Sequence, residues 1–258
     1  MNPLVDLDAR PVIGHRGAPA YAPENTLESF REAVNRGADA LELDVRRSAD
    51  GVVMVCHDPT LDRTTDRVGL LGRLSAADLA QVDAGFRFTD QSGAHPFRRS
   101  GVRIPTLRAV IEAFPDVPLL IELKEREVQG ALARLLLETG AASRAVLAAD
   151  DWRALVAFRQ EPFLLGASRR DIARLYFRLP RPDPRCRAYA VPERFARLPV
   201  PTRRFVRAAH ERQAAVHVWT VEGQDVARRL WRNGVNGIVT DRPDLIRAAR
   251  DVASPPMA

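Results

Sequence analysis

Short apolar segments with strand character alternate with helical patterns along most of the chain. Eight such segments occur, at residues 12–14, 40–45, 119–123, 145–149, 163–167, 188–192, 215–221 and 237–241. Stretches with apolar residues at helical spacing separate most of them, at 24–38, 128–140, 151–160, 202–213, 225–233 and 243–252. Because parallel strands need a crossover connection, this alternation predicts a parallel sheet covered by helices. Eight strand candidates within 258 residues favour an α/β fold of the TIM (β/α)8 barrel class.

A doubly wound sheet is the alternative architecture for the same alternation of strands and helices. Such sheets commonly bind nucleotides at a glycine-rich turn after a strand. No dinucleotide or P-loop glycine pattern occurs in this chain, so the barrel is the favoured prediction.

Local residues mark the borders of two elements. Asn25 is followed three residues later by Glu28, which predicts a capping box at the first helix, and Gly37 predicts its end. Two β-like runs flank Asp50 and Gly51, which is a hairpin signal. A turn at that point places Asp44 roughly opposite His57.

One long segment breaks the regular alternation. Residues 58–117 contain short helical pieces and loops, and they predict a small insertion after the second strand that forms a flap over one rim. We interpret residues 1–258 as a single domain that carries this insertion. The tail at residues 254–258 is expected to be frayed.

Composition excludes several functional classes. Net charge is +6 and the isoelectric point is near 10.2, but the arginines are scattered among acidic residues and aromatics are only 6%, which argues against nucleic-acid binding. The charge leaves room for weak contact with anionic ligands or lipid head groups. No apolar run reaches 18 residues and no secretory signal is visible, so integral membrane association is not expected. The two cysteines form no disulfide framework, and we expect a cytoplasmic protein.

Three carboxylates occur on two consecutive barrel strands. Glu42 and Asp44 alternate onto one side of their strand, and Glu122 lies near the end of the next one. Charges on that side must be paired or must bind a cation. Neutralisation by nearby arginines is one interpretation. We favour a site for one divalent cation, Mg²⁺ or Ca²⁺, because both prefer oxygen ligands.

Two histidines and two cations accompany these carboxylates. His15 directly follows the first strand, and His57 ends the predicted hairpin. Two imidazoles offer an acid and a base near neutral pH. Arg16 and Lys124, the only lysine in the chain, would hold a dianionic transition state together with a cation. The residues therefore predict metal-assisted phosphoryl chemistry in the mouth of a barrel.

At these residues the sequence resembles the glycerophosphodiester phosphodiesterase (GDPD) family. The similar motifs cover most of the chain, and in order they are GHRG (14–17), PENTLESF (23–30), GADALELDVRRSADGVVMVCHDPTLDRTT (37–65), IPTL (104–107), IELK (121–124), VWTV (218–221) and GVNGIVTDRPDL (234–245). The resemblance implies a TIM barrel with a small insertion after the hairpin. It also implies hydrolysis of glycerophosphodiesters to sn-glycerol 3-phosphate and an alcohol.

The resemblance assigns a role to each candidate residue. Glu42, Asp44 and Glu122 match the metal ligands. His15 and His57 match the acid/base pair, and Arg16 and Lys124 match the phosphate contacts. Asn25 matches an amide that organises the site, and Trp219 matches a wall that packs on the substrate. Glu222 and Ala149 depart from the family pattern, which leaves the alcohol preference open.

Two other functions remain as alternatives. One is a phospholipase-D-like activity on lysophospholipids that stops at a cyclic phosphate, for which an exposed apolar flap is expected; residues 58–105 do not show one clearly. The other is a barrel that binds a phosphorylated ligand without turnover. The sequence assigns neither histidine as the base, and it leaves the oligomeric state open.

Overall fold

The strands form a closed barrel in this computed structural model, which describes residues 2–179 and 183–253. In chain order the strands are β1 Val12–Gly14, β2 Ala40–Arg47, β3 Val53–Val55, β4 Leu119–Leu123, β5 Ala145–Ala148, β6 Leu164–Gly166, β7 Cys186–Pro192, β8 Arg194–Phe195, β9 Leu198–Pro199, β10 Ala215–Trp219 and β11 Gly237–Thr240. Eight of them are parallel neighbours in the order β1, β2, β4, β5, β6, β7, β10, β11, and β11 pairs back with β1. The predicted TIM barrel is confirmed.

Helices follow most of the barrel strands. They are α1 Leu27–Asn35, α2 Ala76–Leu79, α3 Leu107–Ala113, α4 Gln129–Glu138, α5 Arg169–Tyr176, α6 Arg203–His210, α7 Gln224–Arg232 and α8 Pro243–Ala253. Short 3₁₀ helices occupy Leu71–Arg73, Ala141–Arg144 and Trp152–Phe158, so the helix predicted at 151–160 is a 3₁₀ helix. Among the helices of the described ranges, none is long and apolar enough to cross a membrane.

The start of α1 differs from its prediction. The capping box at Asn25 and Glu28 is wrong, because the N-cap is Thr26, whose hydroxyl accepts from the Ser29 amide at 3.2 Å. Asn25 instead adopts a left-handed backbone conformation with φ of 58°. This frees its side chain to act outside the helix, as described below.

Two apolar layers hold the barrel together. The larger one lies between the strands and the surrounding helices. The smaller one fills the barrel interior with residues such as Ile13, Leu120 and Val146. Leu4 is fully buried at this inner layer, and its carbonyl lies 2.8 Å from Nε2 of the buried His217. The barrel interior is therefore a packed core and not a pore.

The hairpin after β2 has a register one residue away from the predicted one. β3 pairs antiparallel with the end of β2, and the Cys56 amide donates to the Asp44 carbonyl at 2.9 Å. Cys56 therefore lies opposite Asp44, and His57 is the next residue.

The segment after the hairpin has a separate small core, into which Cys56 packs together with Leu61, Leu71 and Leu79. Helix α3, at the end of the 58–117 range, packs in the barrel layer. The predicted frayed tail at 254–258 lies outside the described residues.

Candidate active site

Three carboxylates meet at the open end of the barrel. β2 and β4 are in parallel register, with Asp44 beside Glu122, and alternation turns Glu42 to the same interior. Each of the three offers an oxygen atom, and these oxygens all lie within 4.8 Å of one another. Glu42 and Asp44 are 7% and 1% exposed, so two of the three are almost removed from water. We call Glu42, Asp44 and Glu122 the carboxylate cluster.

Two cations compensate part of the negative charge of the cluster. Lys124 Nζ lies 3.0 Å from Asp44 Oδ1 and 2.8 Å from Glu122 Oε1. Arg16 Nε lies 3.2 Å from Asp44 Oδ2, while its Nη1 donates to Glu24 at 3.0 Å. The lone lysine therefore bridges Asp44 and Glu122, and Arg16 divides its charge between the same Asp44 and Glu24.

Burial and charge act differently on the two inner carboxylates. For Glu42, burial and the neighbouring Asp44 carboxylate raise the pKa well above its usual range. Burial works in the same direction on Asp44, but Lys124 and Arg16 outweigh it and lower the pKa of that group. For Glu122, burial prevails over the attraction of Lys124, so its pKa is also raised. If all three were ionised, the cluster would carry more negative charge than Lys124 and Arg16 neutralise, so without a cation the neutral form of Glu42 is favoured.

The carboxylate cluster fits a divalent cation. Within the described residues, Glu42 has no cationic side chain at ion-pair distance, and its Oε2 accepts the Arg16 backbone N–H at 2.8 Å. Asp44 Oδ1 is buried, and its ion pair with Lys124 Nζ at 3.0 Å lacks hydrogen-bond geometry, so the oxygen can accept a further partner. Convergent carboxylate oxygens with an unused lone pair and unbalanced charge are the features that Mg²⁺ and Ca²⁺ sites require.

His15 is oriented by a carboxylate that the sequence analysis missed. Its Nδ1–H donates to Asp241 Oδ1 at 2.6 Å. Asp241 is the first residue after β11. Burial disfavours the charged ring, but the Asp241 hydrogen bond and the Glu42 carboxylate outweigh it, so the pKa of His15 is raised. Because Nδ1 carries the proton in this bond, Nε2 remains for proton exchange with a ligand.

A chain of ion pairs orients His57. Its Nδ1–H donates to Asp58 Oδ1 at 2.6 Å, and Arg63 Nε donates to Asp58 Oδ2 at 2.5 Å. The other two guanidinium nitrogens of Arg63 each donate to Glu24 at 2.7 Å. Burial opposes ionisation of Asp58, but its bonds with Arg63 and His57 lower its pKa to about 2. Glu24 also contacts Arg16. One network of ion pairs therefore connects His57, an acid/base candidate, with Arg16, a candidate phosphate contact.

The loop after β1 reaches the cluster through an unusual backbone. Arg16 and Asn25 both have positive φ, 49° and 58° respectively. The backbone N–H of Asn25 donates to the Arg16 carbonyl at 2.9 Å. Gly17 has φ of 93°, and a Cβ there would lie 2.3 Å from Ser29 Oγ. This tight fold lets Asn25 Nδ2 donate to Asp44 Oδ2 at 2.9 Å. Asn25 therefore contacts the cluster and positions one of its oxygens.

A cavity of about 620 Å³ opens at this mouth. One part of its lining, the charged side, consists of His15, Arg16, Glu42, Asp44, His57, Glu122 and Lys124. Another part, the apolar wall, consists of Ile172, Tyr176, Phe177, Phe195, Leu198 and Trp219. Eight of the nine sequence-predicted site residues thus line one cavity, and the ninth, Asn25, touches Asp44.

The two residues that depart from the family pattern lie at different distances from the cavity. Ala149 lines the cavity itself. Glu222 accepts from the Asp241 amide at 2.9 Å and from the Thr240 hydroxyl at 3.3 Å. It therefore supports the residue that orients His15.

Several functional candidates escaped the sequence analysis. Asp58 and Asp241 each follow a candidate strand end, which was the signal available for them. The pairing of Arg63 with Glu24 left no signal, because these residues are 39 positions apart. Apart from Trp219, the residues of the apolar wall were also missed, since they come from separate segments.

Comparison with known proteins identifies relatives along nearly the full length. Residues 15–245 match the glycerophosphoryl diester phosphodiesterase family. The chain is 33% identical to YhdW of Bacillus subtilis, covering 91% of this chain and 96% of that protein. It is 28% identical to a glycerophosphodiester phosphodiesterase of Caldanaerobacter subterraneus, covering 91% and 95%.

Solved structures of similar sequence have the same fold. One is the glycerophosphoryl diester phosphodiesterase domain of a Mycobacterium tuberculosis protein, with 26% identity, a TM-score of 0.83, and coverage of 94% of this chain and 100% of that one. Another is an Oleispira antarctica phosphodiesterase in complex with its product sn-glycerol-3-phosphate, with 25% identity, a TM-score of 0.77, and coverage of 94% and 97%.

Proposed function

The chain belongs to the glycerophosphoryl diester phosphodiesterase family and is a phosphoric diester hydrolase with glycerophosphodiester phosphodiesterase activity, and we propose that it uses one divalent cation and two histidines for this reaction. The products are sn-glycerol 3-phosphate and an alcohol. The product complex of the Oleispira antarctica relative supports this choice of substrate. The observation that carries the proposal is the cavity lined by both histidines, both cations and the carboxylate cluster.

The two histidines divide the proton transfers. One removes the proton of the glycerol 2-hydroxyl, whose oxygen attacks phosphorus, and the other protonates the oxygen of the leaving alcohol. Water then opens the cyclic phosphate. Carboxylate partners at Nδ1 of both rings, Asp241 for His15 and Asp58 for His57, hold each ring in place and leave Nε2 for exchange.

Arg16 and Lys124 bind the phosphate oxygens in this proposal. Both are already next to the carboxylate cluster, so a phosphate at the mouth would meet two fixed positive charges. Glu42, Asp44 and Glu122 would hold the cation, Mg²⁺ or Ca²⁺, which supplies Lewis-acid stabilisation of negative charge on phosphorus-bound oxygens. Asn25 keeps Asp44 in position, and Trp219 flanks the substrate.

The non-catalytic alternative has little support. A binding barrel without turnover needs only the cationic side chains, yet here two histidines with carboxylate partners face the same cavity.

We also propose that residues 1–258 form one such domain, with the insertion after β3. The two free, buried cysteines are consistent with a cytoplasmic location.

A substrate panel tests the proposal directly. Purified protein is incubated with glycerophosphocholine, glycerophosphoethanolamine and glycerophosphoglycerol, and release of sn-glycerol 3-phosphate is measured with a coupled dehydrogenase. We expect EDTA to abolish the release and added Mg²⁺ or Ca²⁺ to restore it. Full activity after exhaustive chelation would contradict the proposed use of a divalent cation. Absence of sn-glycerol 3-phosphate release from every substrate would contradict the proposed reaction.

A further inference from the structure

His57 lies just beyond the paired part of the β2–β3 hairpin. β3 ends at Val55, and one residue later the Cys56 N–H donates to the Asp44 carbonyl at 2.9 Å. Among the described residues, no other backbone group forms a hydrogen bond with His57 itself. Its carbonyl therefore lacks the partner that a strand would supply, although backbone carbonyls in folded proteins are almost always paired. The sheet alone does not hold this residue against the barrel.

The bond between His57 and Asp58 does not hold it there either. The two residues are neighbours in sequence, so the 2.6 Å contact of His57 Nδ1 fixes the ring relative to its own loop and not relative to the barrel. Asp58 is attached in turn through Arg63 to Glu24, in the loop after β1. That chain of ion pairs is one attachment of the histidine to the rest of the site.

Arg46 supplies a second attachment, from the barrel strand β2. Its Nε donates to the His57 carbonyl at 2.9 Å, and hydrogen bonds from a charged donor are stronger than neutral ones. Arg46 lies two residues after Asp44, and strand alternation directs both side chains to the same side of β2. The bond therefore joins the histidine directly to the strand that carries two members of the carboxylate cluster.

Glu125 fixes the guanidinium that makes this bond. Its Oε2 accepts from Arg46 Nη1 at 3.2 Å, and its Oε1 accepts from the Arg47 backbone N–H at 2.8 Å. The Arg46 side chain is only 12% exposed, which separates this ion pair from the solvated surface pairs that contribute little. Glu125 directly follows Lys124 in the chain. The arginine is thus held between the end of β2 and the segment after β4.

We propose that Arg46 is a positioning residue for His57, holding its backbone at a fixed place relative to the carboxylate cluster. The inference rests on the proposed function, because the position of His57 affects turnover only if its ring transfers a proton. Arg46 is not among the described residues that line the cavity, so it acts on the reaction through the histidine. Misplacing a reacting group by about 1 Å can cost on the order of 10²-fold in rate.

Two adjacent substitutions test the inference by steady-state kinetics. Arg46→Met removes the guanidinium but keeps a long, unbranched side chain. We expect kcat for glycerophosphocholine to fall by about 10- to 100-fold, the scale for groups that orient catalytic ligands, with little change in KM. Arg47→Met is the matched control, because this exposed neighbour contacts Glu125 only through its backbone N–H, and it should keep both constants. Native kcat in Arg46→Met would overturn the inference.

A double-mutant cycle separates positioning from a general loss of structure. If Arg46 acts through His57, Arg46→Met should change kcat by less than about twofold in the His57→Ala background, because residues that act through one another are not additive. An equal loss in both backgrounds would overturn the inference. Arg46→Lys takes the place of Arg46→Met in the cycle if the latter does not fold. It keeps the positive charge but loses the planar fork that reaches two partners.

Nuclear magnetic resonance of labelled histidine separates this inference from the reaction. The chain has five histidines, and the ring signals of His57 are identified by their loss in His57→Ala. We expect these signals to shift or broaden in Arg46→Met and to stay unchanged in Arg47→Met. If glycerophosphocholine is hydrolysed but the signals do not respond to Arg46→Met, the inference alone fails. If the signals respond but the unmodified protein hydrolyses no glycerophosphodiester, the proposed function alone fails.

Discussion

The charged side and the apolar wall border one cavity but are held in opposite ways. On the charged side, Asp44 contacts Arg16, Lys124 and Asn25, and it is 1% exposed. On the apolar wall, Phe195 is 66% exposed and lies on a hairpin that shares no strand pairing with the barrel. Chemistry at phosphorus needs charges fixed before the substrate arrives, whereas an apolar surface that flanks the substrate has no charge to position. The comparison predicts that substitutions on the charged side abolish turnover, and that substitutions on the wall change substrate choice.

The histidines should give the largest effect. We expect His15→Ala and His57→Ala each to lower kcat by about 10²–10⁴-fold, because each removes one partner of the acid/base pair. Steady-state kinetics checks this, with binding of Mn²⁺ followed by electron paramagnetic resonance to show that the cation site survives. His95→Ala, at an exposed position, is the control. Near-native turnover in either variant would make that histidine structural.

The lone lysine tests whether the charged side tolerates a change of shape. Lys124 bridges Asp44 and Glu122, and a larger, planar guanidinium cannot occupy the same space as a compact ammonium. We expect Lys124→Arg to lower kcat/KM by about 10²-fold, Lys124→Ala to do the same, and neither to change the melting temperature much. Arg108→Lys, in an exposed pair with Glu138, is the control. Native activity in Lys124→Arg would mean that any positive charge suffices there.

Arg63 tests the reach of the network beyond the cavity. It does not line the cavity, but it connects Asp58, the partner of His57, to Glu24, the partner of Arg16. We expect Arg63→Gln to lower kcat by about 10- to 100-fold, the scale for groups that orient catalytic ligands. Arg67→Gln, exposed in the same segment, should leave kcat unchanged.

The smallest effect concerns stability of the wall. Phe195→Ser removes an exposed ring, so we expect the free energy of unfolding to change by no more than about 0.5 kcal/mol. Urea denaturation of the two proteins measures the difference. Loss of more than about 2 kcal/mol would show that the hairpin is part of the core, and would remove the contrast between the two sides.

The barrel and the charged side could be predicted because their signals are local. Glu42 and Asp44 are two residues apart on one strand, and strand alternation alone puts them on the same face. His15 and Glu122 follow or end strands whose carboxyl ends must meet in a parallel barrel. The position of each was therefore contained in a few neighbouring residues.

The remaining parts depend on contacts between distant segments. The resemblance placed Asn25 at the site, but its spacing to Glu28 predicted a helix cap; the left-handed conformation and the bond to Asp44, 19 residues away, appear only in the fold. Asp241 meets His15 across 226 residues, and only barrel closure brings them together. Trp219 belongs to a family motif, but the rest of the apolar wall carries none, because Phe177, Phe195 and Leu198 are ordinary apolar residues until the fold places them side by side.

The contact between Leu4 and His217 has a consequence for the order in which the barrel can be completed. These residues are 213 positions apart, and β1 likewise pairs with β11 near the other end of the chain. At ribosomal rates of about 5–20 residues per second, Leu4 emerges roughly 10–40 s before its partner exists. During that interval one edge of β1 and the apolar Leu4 side chain lack their final partners. Nascent chains of this enzyme should therefore depend on holding chaperones until β10 and β11 are synthesised.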